Sequence, residues 1–135
     1  MKLTKLSVLV FLMGAIVFSG CKDKPAKELI INNWKFTEIS GTAADLIPDS
    51  IKKKIYANAT MNFNKDGSYE QAGGIDNETR KGVYSLSDDG KTIYSIDESK
   101  NTDTMVILQI SKDKMVVSPK IEGNSGMLRL TMIPK

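Results

Sequence analysis

Thr60-Met-Asn-Phe-Asn-Lys-Asp-Gly-Ser-Tyr-Glu-Gln71 is the stretch whose reading decides the fold. Met61 and Phe63 alternate with polar neighbours, and Tyr69 stands two positions before Gln71. Lys65-Asp66-Gly67 between them is a strong tight-turn signal. Successive side chains of a strand point to opposite faces, so the pattern predicts an antiparallel hairpin with one oily face.

The same rhythm extends in both directions. Upstream, Asn33-Trp-Lys-Phe-Thr-Glu-Ile39 places Trp34 and Phe36 on one face. Downstream, 81–86 and 92–96 flank Asp88-Asp89-Gly90-Lys91, a second hairpin of the same kind. Segment 104–110 is apolar on both faces, and Lys112-Asp113-Lys114 leads from it into 115–118. Segment 127–132 puts Leu128, Leu130 and Met132 on one face. About eight short strands at this spacing predict an all-β sandwich or barrel.

One stretch departs from the rhythm. Leu46 to Tyr56 has Pro48 with Asp49 or Ser50 as a helix start, and Ile51 and Ile55 are four apart. That predicts a short helix between the first and second strands, its apolar side on the sheet and Lys52, Lys53 and Lys54 in water. Glu38 and Asp97 are the acids that strand alternation aims inward, both at strand ends.

Composition excludes whole classes of chemistry. The 135 residues contain no histidine and one cysteine, Cys21. His-based triads and His/Cys zinc sites are therefore ruled out, no Gly-rich phosphate loop is present, and no catalytic, metal or cofactor site is expected. Much of the net charge of +3 comes from Lys2 and Lys5. The remainder is nearly neutral, which argues against a nucleic-acid partner.

Lys2 and Lys5 head an almost wholly apolar run from Leu6 to Phe18, followed by the small residues Ser19 and Gly20. This is the pattern of a secretory signal peptide. As a helix the run covers about 20 Å, short of the roughly 30 Å hydrocarbon core. Phe18-Ser19-Gly20-Cys21 resembles the lipobox of bacterial lipoproteins. That resemblance implies that residues 1–20 are removed and that Cys21 is lipidated, anchoring the chain to membrane. Lys22 stands where some bacteria use Asp to keep lipoproteins at the inner membrane, so the outer membrane is expected, at its periplasmic face or at the cell surface. Residues 21–28, charged and containing Pro25, read as a tether, and 29–135 as one domain.

The order of these elements resembles the lipocalin-like lipoprotein domains of Gram-negative bacteria. The matching features are Asn32-Asn33-Trp34-Lys35, the 61–69 hairpin, Gly82-Val83-Tyr84-Ser85-Leu86-Ser87 with its Asp-Asp-Gly turn, and Leu128-Arg129-Leu130-Thr131. The resemblance implies a small antiparallel up-and-down β-barrel. Asn32 stands where many lipocalins have glycine, and the chain is short.

Alternation sends Trp34, Phe36, Met61, Phe63, Tyr69, Tyr84 and Met132 inward with Leu86, Leu128 and Leu130. So many bulky groups fill much of a narrow barrel, and plain core packing competes with a ligand cup. Trp34 reads as a plug at the closed end. Tyr69 and Tyr84 read as the leading ligand contacts because buried hydroxyls need partners. Segment 41–59 and Gly73-Gly74-Ile75-Asp76 read as a gate over the mouth. Two functions stay open: a binding protein for a small apolar or amphipathic molecule, and a solid barrel whose loops or exposed strand edge engage another envelope protein.

Overall fold

Asp66 builds the first hairpin turn. Its carboxylate accepts hydrogen bonds from the Ser68 backbone N–H at 2.9 Å and the Ser68 hydroxyl at 2.6 Å, and Gly67 supplies the left-handed backbone at φ 87°. The turn joins β2 (Thr60–Phe63) to β3 (Ser68–Ala72) in the register Phe63 to Tyr69 and Met61 to Gln71. Asp89 repeats the device between β4 (Thr79–Leu86) and β5 (Thr92–Asp97), accepting from the Ser87 hydroxyl at 2.6 Å and the Lys91 N–H at 3.0 Å.

The computed structural model describes residues 24–120 and 128–135. Within them β1 (Asn32–Ser40), the four strands above, β6 (Thr102–Ile110), β7 (Met115–Pro119) and β8 (Arg129–Pro134) pair antiparallel in chain order. β8 returns to β1, and the sheet closes as an eight-stranded barrel. Every strand is therefore paired on both sides, which corrects the expectation of an exposed strand edge: closure removes it. Residues 1–20 and Cys21, read above as signal peptide and lipid attachment point, lie outside the described residues. No helix among the described residues is long and apolar enough to cross a membrane.

Among the described residues, two α-helices decorate the barrel. α1 (Ala26–Leu29) is a single turn following Pro25, within the stretch read as tether. It delivers Ile30, fully buried, beneath the barrel, where the Trp34 indole N–H donates to the Ile30 carbonyl at 2.9 Å. α2 (Asp49–Asn58) is the helix expected between the first two strands. Ile55 packs on the core and Lys53 and Lys54 are exposed, but Lys52 departs from expectation. Its side chain is only 18% exposed and lies 3.8 Å from Asp49, one helical turn back. A lysine stem lies along apolar surface while its ammonium reaches out, so helical spacing alone misplaced it.

A β-bulge lies between Phe36 and Glu38, where Glu38 pairs with Thr131 directly after Phe36 pairs with Met132. The extra residue turns both Thr37 and Glu38 outward and returns Ile39 to the core, 7% exposed. Glu38, aimed inward by strict alternation, is thus exposed. A second bulge between Ile107 and Gln109 leaves Leu108 exposed while Met105, Ile107 and Ile110 keep to the core side.

The core is uneven along the barrel axis. Trp34, Ile93, Met115, Val117 and Met132 are completely buried. Apart from Val117, they sit toward the end where α1 and the three short turns gather. Three of the four connections that cross the other end, 41–59, 73–78 and 120–128, are longer, and that end is the mouth.

Candidate functional site

The mouth half is built from residues that the bulge, the long β1–β2 connection and the β3–β4 loop bring together. Because of the bulge, Phe36 and Ile39 both face inward. The Ile39 N–H donates to the Tyr56 hydroxyl of α2 at 2.8 Å, fastening the helix to β1. At the C-terminal end of α2, the Asn58 side-chain carbonyl accepts from Gly74 N–H at 2.9 Å, so the helix also holds the β3–β4 loop. Gly73 sits at φ 75°, and a Cβ there would come within 2.2 Å of the Asn58 carbonyl oxygen. Only glycine lets loop and helix meet this closely.

Two cavities lie beneath this cover. The outer one, about 260 Å³, runs between α2 and the β3–β4 loop, with Ile39, Ile55, Ala59 and Ile75 on its walls and Asp76, Glu78 and Arg80 at its rim. The inner one, about 200 Å³, is bounded by Met61, Phe63, Tyr69, Ser95 and Met105, with Asp103 and Lys120 toward solvent. Phe36, Gln71 and Leu130 belong to both, so these three side chains form the boundary, or neck, between the two cavities. A wider hollow of about 690 Å³ lies outside the closed end, and its walls include Lys24, Glu28, Lys112 and Asp113. It is separate from the barrel interior.

Of the seven ligand candidates read from the sequence, Phe36, Met61, Phe63 and Tyr69 line the inner cavity. Trp34, Tyr84 and Met132 lie outside both cavity walls. The Tyr84 hydroxyl donates to the Asn64 carbonyl at 2.8 Å, in the hairpin turn at the closed end. Its ring meets Phe63 edge-on, with centroids 4.8 Å apart and planes at 75°, so Tyr84 supports the cavity floor from below. Trp34 is the plug beneath it.

Burial raises the Tyr69 hydroxyl above its ordinary pKa, and the Ser95 side chain beside it only partly offsets this. Tyr84 is raised in the same direction, again chiefly by burial. Both phenols stay neutral at physiological pH. Asp97 lies on the inward face of β5 beside the mouth, but Asn101 engages its carboxylate through the backbone N–H at 2.9 Å and the side-chain amide at 3.1 Å. Those bonds hold its pKa below the usual carboxylate value. Among the described residues, no group of three or more His, Cys, Asp or Glu is placed to hold a metal ion.

Gln71, Ser95, Asp103 and Met105 were not singled out from the sequence. Gln71 is two residues from Tyr69, and Ser95 is two from Ile93, so alternation alone would have aimed both inward. Asp103 pairs with Ser95 and shares its face.

An oily interior, a covered mouth and complete closure are the marks of a small binding barrel, and residues 30–117 match the family model of the lipocalin-like domain. The chain belongs to the lipocalin-like family. No curated protein matches it in sequence. A lipocalin-like barrel fits ligand binding in general, and in this one the mouth half is the part with room for a ligand.

Proposed function

We propose that this lipocalin-like protein holds one small apolar or amphipathic molecule in the mouth half of its barrel and is kept at the cell envelope by lipid on Cys21. The observation that carries the binding reading is the pair of adjacent cavities that share Phe36, Gln71 and Leu130 as walls above a filled lower half. Ligand sites usually span roughly 300–1,000 Å³ and combine apolar walls with a few polar groups. Each cavity alone falls below that range, and a ligand that spans both, displacing the shared side chains, would use a volume in its lower part. The ligand is accordingly small.

Residues 22–135 carry every strand of the barrel. Titrating that chain with the neutral fluorophore N-phenyl-1-naphthylamine tests the reading. We expect a saturable rise in emission at one probe per chain; a rise that never saturates contradicts it.

The anchoring part rests on the apolar leader and the position of Cys21. Expressed whole in a Gram-negative host, the chain is expected at the mass of residues 21–135 plus diacylglycerol and one acyl group. Cys21→Ser is expected to abolish that species. Outer-membrane location belongs to the same proposal and is read by membrane fractionation.

Val83, Tyr94 and Ile96 support a second reading, a protein-docking barrel. They are exposed on the outer face of β4 and β5, where Val83 and Ile96 are direct cross-strand partners. The readings separate by where a new charge disables function: at Leu130 in the first, at Val83 in the second.

A further inference from the structure

The neck between the two cavities carries one polar side chain, Gln71, set between Phe36 and Leu130. It lies two residues beyond Tyr69 on β3, directly opposite Met61 of β2, and so faces inward. Among the described residues, no hydrogen bond reaches its side-chain amide, which is half-buried and keeps some contact with solvent. A side-chain amide offers two N–H donors and a carbonyl acceptor, with no charge. Against an oily wall, those groups lose free energy unless a bound molecule or water meets them.

The charges around the cavities are arranged differently. Asp76, Glu78 and Arg80 edge the outer cavity, and Asp103 and Lys120 edge the inner one, all of them exposed. Arg80 is already 3.9 Å from Asp76. A ligand carboxylate at the neck would find no dedicated cation there and more acids than bases around it. A ligand ammonium would leave water without a buried carboxylate to receive it. An uncharged polar head meets neither cost.

The geometry points to Gln71 as the residue that selects an uncharged amphipathic ligand, its amide pairing with a ligand amide, carbonyl or hydroxyl at the neck while the ligand's tail enters the inner cavity over Phe63 and Met105. This rests on the cavities being the ligand site.

Three competitors with the same ten-carbon chain test it: decanamide, 1-decanol and sodium decanoate, each displacing N-phenyl-1-naphthylamine from residues 22–135 at neutral pH. Decanamide is expected to displace the probe at a concentration at least about fivefold below decanoate, the range a buried hydrogen bond supports. Gln71→Met keeps the side-chain length and removes the amide, and is expected to bring that ratio below about twofold. If Gln71→Met unfolds, as circular dichroism would show, Gln71→Leu carries the comparison. Decanoate binding as well as decanamide, or a ratio unchanged in the variant, overturns the selection by Gln71 while leaving the cavities a ligand site. If neither the probe nor any competitor binds the wild-type chain, the binding reading and this inference both fall.

Discussion

Gly73 and Gly82 show how single residues set the shape of the mouth. Gly73 combines a left-handed φ of 75° with a backbone approach that leaves no space for a Cβ. Gly82, in the middle of β4, has an ordinary φ, yet a Cβ there would come within 2.0 Å of the Ile96 carbonyl oxygen. Alanine at either site forces backbone to move, and we expect each to cost about 1–3 kcal/mol in urea unfolding. The Gly73 variant is also expected to weaken probe binding, because the loop it displaces covers the outer cavity. Packing supplies a second comparison. Trp34 is fully buried in the filled half, so Trp34→Ala is expected to cost about 3–5 kcal/mol. Phe36 borders space that is already empty, so Phe36→Ala is expected to cost less under the same conditions. Equal losses would count against the division of the barrel into filled and hollow halves.

At the scale of elements, three turns are tied by aspartates. Asp66 is held below its usual pKa by the Ser68 side chain and backbone, Asp89 by the Ser87 side chain and the Lys91 N–H, and Asp97 by the Asn101 backbone and side chain. A folded-state pKa below the unfolded value contributes stability above the unfolded value, and loses it as pH falls through the folded one. Tm is therefore expected to decline below about pH 4, the region of the unfolded carboxylate. The buried Tyr69 and Tyr84 set the opposite limit. Their raised pKa values favour the neutral phenol in the fold, so stability is expected to fall as pH climbs above the ordinary tyrosine value of 10.0. With no histidine in the chain, Tm is expected to stay nearly level from pH 6 to 8. These same turns made the fold legible: Lys65-Asp66-Gly67 and Asp88-Asp89-Gly90 announce hairpins because their chemistry is local. The bulges were not legible. What inserts Thr37 or Leu108 into a ladder is pairing with a distant strand, and alternation within one segment carries no trace of it. Ile39 on the cavity wall and Glu38 in solvent are both consequences.

For the whole molecule, closure decides which functions have room. A fully paired barrel offers no strand edge for another chain to join, which leaves its interior and the outer face of Val83, Tyr94 and Ile96 as the surfaces to test. The sequence shows which bulky residues turn inward, but their number does not show where along the axis they fall. Most of the largest gather at the closed end, which leaves the mouth half hollow, and that distribution depends on strand register. The methionines report directly on it. Met61 and Met105 line the inner cavity, whereas Met115 and Met132 are fully buried outside it. Methyl NMR of residues 22–135 labelled at methionine, recorded during titration with 1-decanol, reads both halves at once. We expect the Met61 and Met105 methyl signals to move saturably while Met115 and Met132 stay in place; four unmoved signals, or equal movement in both pairs, would contradict a ligand held in the mouth half.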